Sequence, residues 1–182
     1  MNKKGSPVDR IIEALIFASP EPVSTGRIRE CIEGGEELDI DEIVNTLNAH
    51  YVENGRSFNI IKVAGGYQMV TLPEYERWVR RIFTGRGRLR LSHQAMETLS
   101  IIAYRQPVSK PTMESIRGIN CDGVIKTLLE RDLINIKGRE NSPGRPILYG
   151  TTREFLRYFG LNNLGDLPQL KEIEDIMGAT ED

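Results

Sequence analysis

One stretch of nine residues occurs twice in this chain, and that repeat limits what the chain can fold into more than any other feature. Ile16-Phe17-Ala18-Ser19-Pro20-Glu21-Pro22-Val23-Ser24 returns, eighty-five residues later and without a gap, as Ile101-Ile102-Ala103-Tyr104-Arg105-Gln106-Pro107-Val108-Ser109. Ile, Ala, Pro, Val and Ser coincide, and similar elements flank both copies, which marks a duplicated unit. In each copy an apolar helix ends, the chain turns through an extended Pro-Val, and a Ser is placed to cap the next helix. A chain of 182 residues can hold one domain or two small ones, and the repeat selects two.

Hydrophobic periodicity predicts the elements. Ser6-Pro7-Val8-Asp9 starts a helix that buries Val8, Ile11, Ile12, Leu15 and Ile16, and Ser24 caps a shorter one with Ile28, Cys31 and Ile32 inward. Asp39 and Glu42 box the start of a third helix, ending near Glu53. Phe58–Val63 and Tyr67–Leu72 form a hairpin with Gly65-Gly66 as the turn, and Pro73 opens a helix burying Tyr75, Trp78, Val79, Ile82 and Phe83. The second copy repeats this order. Ser92 caps a helix burying Ala95, Met96, Leu99, Ile102 and Ala103; Ser109 caps one with Met113 and Ile116; Asn120 caps one with Val124, Ile125, Leu128 and Leu129. Leu133–Lys137 and Ile147–Thr151 make a second hairpin, and Thr151 with Glu154 boxes a last helix bearing Phe155 and Phe159. Three helices followed by a hairpin, twice, predict an α+β, mostly helical chain of two tandem winged-helix domains. The expected limits are 1–84, a basic Gly/Arg joint at 85–91, 92–168, and an acidic tail at 169–182.

Charge is uneven along the chain: the balance is −3 over residues 1–84, +3 over 85–90, +3 over 91–160 and −5 over 161–182. No apolar run approaches the roughly 20 residues of a membrane span, and the opening residues lack a secretory core, so a cytoplasmic protein without membrane contact is expected. Cys31 and Cys121 stand alone in different copies, and His50 and His93 each sit on a helix without a nucleophile or ligand set. Neither a cofactor, a metal nor catalysis is expected.

A winged helix that reads DNA places basic and amide side chains of its third helix in the major groove. In the first copy that helix carries Asp39, Asp41, Glu42 and Glu53 and no Lys or Arg, and phosphate would repel it. Arg77, Arg80, Arg81, Arg86, Arg88 and Arg90 form a basic cluster that reads as a solvated face, with weak phosphate contact through Arg86, Arg88 and Arg90 as the sharper alternative. A DNA-binding transcriptional regulator is therefore the second reading, and protein binding the first.

Ala103-Tyr104-Arg105-Gln106-Pro107-Val108-Ser109, Ile116-Arg117-Gly118-Ile119-Asn120 and Pro143-Gly144-Arg145-Pro146-Ile147-Leu148-Tyr149-Gly150-Thr151-Thr152, followed by Leu164-Gly165-Asp166-Leu167-Pro168, closely resemble the segregation and condensation protein B family. The likeness runs over roughly residues 7–170. It implies a non-enzymatic, nucleoid-associated subunit for chromosome condensation and partition. Such a subunit binds the kleisin (segregation and condensation protein A) and, through it, the heads of an SMC ATPase. It also implies a homodimer through the first domain, a kleisin dock on the second, and DNA contact that is weak or indirect at most. Within that frame the residue types suited to a partner interface are Tyr104, Arg105, Gln106, Arg117, Gly144, Arg145, Pro146 and Tyr149. Arg117 and Arg105 have two readings, a carboxylate contact to a partner or a tie within the domain; the Gly144-Arg145-Pro146 turn either meets a partner or only shapes the hairpin.

Overall fold

In a computed structural model that describes residues 7–82 and 91–169, the chain divides into two compact units, Met1–Gly87 and Arg88–Asp182. Arg86, Arg88, Arg90 and Phe83, most of the expected joint and all but the first residue of the acidic tail lie outside the described residues.

The first unit runs α1 (Pro7–Ala18), α2 (Thr25–Glu30), a 3₁₀ turn (Gly35–Glu37), α3 (Ile40–Glu53), β1 (Phe58–Val63), β2 (Gly66–Thr71), a 3₁₀ turn (Pro73–Tyr75) and α4 (Glu76–Ile82). Its core joins Ile12 and Ile16 of α1, Ile28 of α2, Val44, Leu47 and Tyr51 of α3 and Ile60 and Tyr67 of the hairpin. The caps follow the sequence: Ser24 Oγ accepts from the Arg27 amide (3.3 Å) and Asp39 Oδ1 from the Glu42 amide (3.0 Å).

The β1–β2 turn differs by one residue from the expected one. Val63 pairs with Gly66, so the two central residues are Ala64 and Gly65, both at positive φ (51° and 74°) as a type I′ hairpin requires. Gly66 is needed for another reason, since a Cβ there would lie 2.8 Å from the Val23 backbone. That close approach is the bridge between Val23 and Tyr67, whose amides and carbonyls exchange two 2.9 Å hydrogen bonds.

On its outer side β1 is closed by α3. The Asn48 side chain accepts from the Ile60 amide and donates to the Ile60 carbonyl, both at 2.8 Å, taking the place of a further strand. Beneath the hairpin, Asp41 of α3 accepts from the Tyr67 hydroxyl (2.7 Å) and from Lys62 Nζ (2.9 Å). These bonds, the Tyr67 hydroxyl first, hold the Asp41 carboxyl below its ordinary value of 3.8.

Three expected burials do not occur: those of Ile11, of Cys31, which is exposed at the C-cap of α2, and of the apolar face of α4. Ile11 is exposed; the face of α1 that meets the core is made by Ile12 and Ile16, with Val8 and Leu15 packed beside them. Helix α4 buries none of its residues: Trp78 is 50% exposed and Ile82 more so, and Arg77 lies over the Trp78 ring 4.4 Å from its centroid. An amphipathic period shows that one face is apolar, and among the described residues the main neighbour of α4 is the preceding 3₁₀ turn.

The second unit runs α5 (His93–Arg105), β3 (Val108–Ser109), α6 (Lys110–Arg117), α7 (Asp122–Glu130), β4 (Ile134–Arg139), β5 (Ile147–Thr151) and α8 (Arg153–Phe159), then a 3₁₀ turn (Leu164–Asp166). The sheet order is β3-β5-β4, all antiparallel, with a register shift between Ile136 and Gly138. Ala95, Leu99 and Ile102 of α5, Met113 of α6, Ile125 and Leu128 of α7 and Tyr149 and Phe155 form the core, and Leu91 packs against it.

Three caps here depart from expectation. Ser92 caps α5 through the Ala95 amide (3.2 Å), but Ser109 is buried and shares its hydroxyl with Thr112 (2.9 Å), leaving Pro111 in the first turn to start α6. Cys121 rather than Asn120 holds the N-cap position of α7, although Asn120 Oδ1 still accepts from the Asp122 amide (2.9 Å). Thr152 caps α8 by accepting from Phe155 (3.2 Å), while Thr151 stays in β5. Cys31 and Cys121 are both free thiols. No helix among the described residues is long and apolar enough to cross a membrane.

Removing the Asn48 amide leaves a partly buried donor and acceptor of Ile60 unpaired, so Asn48→Ala should lower stability by about 1–2 kcal/mol in urea denaturation. For Asp41 the folded pKa is depressed, so its contribution is complete above the unfolded value and is lost as pH falls through the folded one. Asp41→Asn should then cost stability at neutral pH and flatten the loss that the unaltered chain shows as pH falls below about 4, read as urea midpoints.

Candidate partner-binding face of the second unit

Where the first copy of the repeat has Ser19-Pro20-Glu21, the second has Tyr104-Arg105-Gln106 at the end of α5. The helix stops there because Gln106 precedes Pro107 and takes an extended backbone (φ −61°, ψ 143°). The three side chains then part company. Gln106 turns inward: its Oε1 accepts from the Thr151 amide (2.8 Å) and hydroxyl (3.0 Å), and its Nε2 donates to the Ala103 carbonyl (3.2 Å). It fastens the end of α5 to β5. Tyr104 is 41% exposed and only its hydroxyl is engaged, donating to the Pro168 carbonyl (2.8 Å). Arg105 is exposed.

Arg117 resolves its two readings inward. Its side chain is 4% exposed, Nη1 donates to Thr98 Oγ1 (2.9 Å) and Nη2 pairs with Glu97 (2.7 Å). Burial acts to lower its pKa, and the hydrogen bonds to Glu97 and Cys121 together with the charges of both outweigh it, so the shift is upward and the charge is kept. Thr98 is itself buried, so this guanidinium joins α5 to α6 from inside.

Tyr149 is likewise a core residue, paired through its backbone with Val108. Beside it, Gly150 lacks a side chain because the space is taken: a Cβ would lie 2.6 Å from the Lys137 stem and 2.9 Å from Gln106 Oε1. The hairpin tip is a tight turn in which the Arg145 amide donates to the Ser142 carbonyl (2.9 Å), with Pro143 and Gly144 (φ 82°) as its central residues. Arg145 follows at φ 42°, its carbonyl accepting from Arg139 Nη1 (3.0 Å), so Gly144 and the Arg145 side chain are presented outward.

Of the eight residues suited to an interface, the structure brings Tyr104 and Arg105 to one exposed helix end and Gly144, Arg145 and Pro146 to the hairpin tip. It commits Gln106, Arg117 and Tyr149 to the interior. Exposed apolar residues that the sequence had not singled out are Ile119, Ile136 and Tyr158, and Met96 and Ile116, both expected inside, are also exposed. Met113 is the α6 residue in the core, and Ile116, three residues on, lies beyond it at 47% exposure.

Electrostatically the face is mixed. Lys110 pairs with Asp122, whose carboxyl this hydrogen bond, ahead of that from Asn120, holds below the usual carboxylate range. His93 stands by Glu97 (3.0 Å) in the open. Among the described residues no group of three or more His, Cys, Asp or Glu could hold a metal ion.

The family model "Segregation and condensation complex subunit ScpB" matches residues 10–170. Segregation and condensation protein B of Symbiobacterium thermophilum is 50% identical over 161 residues, covering 88% of this chain and 73% of that protein. The protein of the same name from Syntrophotalea carbinolica is 43% identical over 171 residues, 94% of this chain and 86% of its own length. The crystal structure of ScpB from Mycobacterium tuberculosis aligns with 26% sequence identity over 85% of this chain and 95% of that chain, at a TM-score of 0.40. With a family match spanning both repeat copies and relatives of this identity over most of their length, the chain belongs to the segregation and condensation protein B family.

Proposed function

We propose that the chain is a non-enzymatic accessory subunit of an SMC complex, made of two winged-helix domains, that binds the kleisin chain through its second domain and a second copy of itself through its first. The element order and the β3-β5-β4 sheet support the winged-helix reading, with β4 and β5 as a wing and the short β3 strand added on the other side of β5. Domain limits near 84 and 92 go with this reading, as does a place at the nucleoid.

One observation carries the kleisin assignment. At the turn the two copies share, the first shows Ser19-Pro20 and the second an exposed aromatic ring and a guanidinium, the residue types that dominate interface energetics. The equivalent segment of the first copy carries neither, and its helix already ends at Ala18. The Arg145 tip adds a second basic group, suited to acidic side chains of a partner helix. DNA is at most a weak contact in this scheme, because the α3 acids face the position where a groove reader needs cations, and Asp41 is already committed to Tyr67 and Lys62.

The self-association assignment rests on the exposed apolar surface of the first unit. Phe17 is 74% exposed and borders a groove of about 600 Å³ lined also by Ile16, Phe58 and Met69. Trp78 and Ile82 add an uncovered helix face in the same unit. Exposed apolar surface on this scale marks a contact site.

Purified together with the kleisin from the same genome, the chain should form a complex that Tyr104→Ala or Arg105→Ala weakens at least about tenfold, with unfolding midpoints unchanged. Arg117→Ala should behave oppositely, lowering the midpoint while a still folded fraction keeps its affinity; absence of any complex at micromolar concentration sinks the assignment. In light scattering the unaltered chain should have the mass of a dimer and Phe17→Asp that of a monomer. A monomer for the unaltered chain over a wide concentration range removes the self-association.

A further inference from the structure

Each unit ends its sheet on one outer strand, β1 in the first and β4 in the second, and the two edges are treated differently. An edge strand offers unpaired backbone N–H and C=O groups to any extended chain that reaches it. In the first unit the Asn48 amide occupies both outward groups of Ile60. In the second, Thr151 directs its N–H to Gln106 on the β3 side of β5. By the alternation of antiparallel pairing, Gly150 and Asn135 then share the β4–β5 bonds, and Ile136 turns its N–H and C=O away from the sheet. Among the described residues no side chain bonds those two groups, Ile136 is 57% exposed, and β4 is exposed from Asn135 to Arg139.

The chemistry around this edge selects its occupant. Lys137 and Arg139 lie on β4, Arg145 is tied to Arg139 across the hairpin, and between Lys137 and Pro146 the single acid is Glu140. A second copy of β4 would add another Lys137 and Arg139 to an edge that is already basic, and the register shift after Ile136 breaks a long self-pairing. An extended segment bearing Asp or Glu avoids the first obstacle, and one short enough to pair only around Ile136 avoids the second. We propose that the outer edge of β4 takes up an extended, acid-bearing segment of the partner chain by main-chain pairing centred on Ile136. The inference rests on the kleisin reading above and specifies how part of that partner is held.

Hydrogen–deuterium exchange on the full chain, with and without the kleisin, reads the outward amide directly. The Ile136 amide should exchange at least about tenfold more slowly in the complex. Ile136→Pro removes the outward donor and leaves the β4–β5 ladder intact, so it should weaken binding at least about tenfold, whereas Ile136→Thr, which keeps the backbone, should weaken it less. If Ile136→Pro fails to fold, the exchange measurement on the unaltered chain decides alone. A complex in which the Ile136 amide exchanges as in the free chain overturns the strand-addition proposal and leaves the kleisin assignment standing. Failure of the unaltered chain to bind the kleisin overturns both.

Discussion

Both units hang on one contact, a valine in a short extended turn paired through its backbone with a tyrosine in the second strand of the hairpin. Val23 meets Tyr67 in the first unit and Val108 meets Tyr149 in the second. Without that pairing the hairpin would be an isolated two-stranded ribbon, which is marginal in water. With it, the sheet is tied to the segment that joins the first two helices, and the tyrosine ring is drawn into the core of each unit. The repeated Pro-Val therefore acts as a staple between the helical layer and the sheet.

Around that shared staple the copies spend their side chains differently. In the first, the groups near it serve the interior: Gly66 admits the Val23 backbone, Asp41 collects the Tyr67 hydroxyl and Lys62, and Asn48 finishes the outer strand. In the second, Gln106 does the fastening from within the turn itself, which leaves Tyr104 and Arg105 free of that duty. The first unit keeps an uncovered apolar surface on α1 and α4, the second an exposed helix end and a basic hairpin tip. The duplicated fold thus carries two different surfaces.

Part of the candidate site could be read from residue types alone, and part could not. The exposure of Tyr104 and Arg105 was legible because they stand where the first copy has Ser19 and Pro20, next to a Pro-Val that ends the helix. Arg117 was ambiguous from sequence, since a guanidinium near a helix end suits either a partner or a neighbouring helix; only the approach of Thr98 and Glu97, about twenty residues away, decides it. Tyr149 resembled an interface residue by type and is a core residue by register, because pairing with Val108 turns it inward. The exposure of Ile136 had no sequence signal, as a β-branched residue in a strand is ordinarily half buried.

By itself the sequence determined the duplication, the order of helices and hairpins, most caps and the family, because these depend on local periodicity, turn chemistry and motif spacing. Tertiary structure alone decided which apolar faces are covered, as at Ile11, Ile116 and α4, since a period of 3.6 marks a face without naming its neighbour. It also decided the single-residue details at Gly66, Ser109 and Thr152, where a backbone from elsewhere in the chain or a competing hydroxyl takes the place that local rules had assigned. Long-range contacts choose among locally allowed arrangements, and for that reason the staple was visible in the sequence while the fates of Gln106 and Arg117 were not.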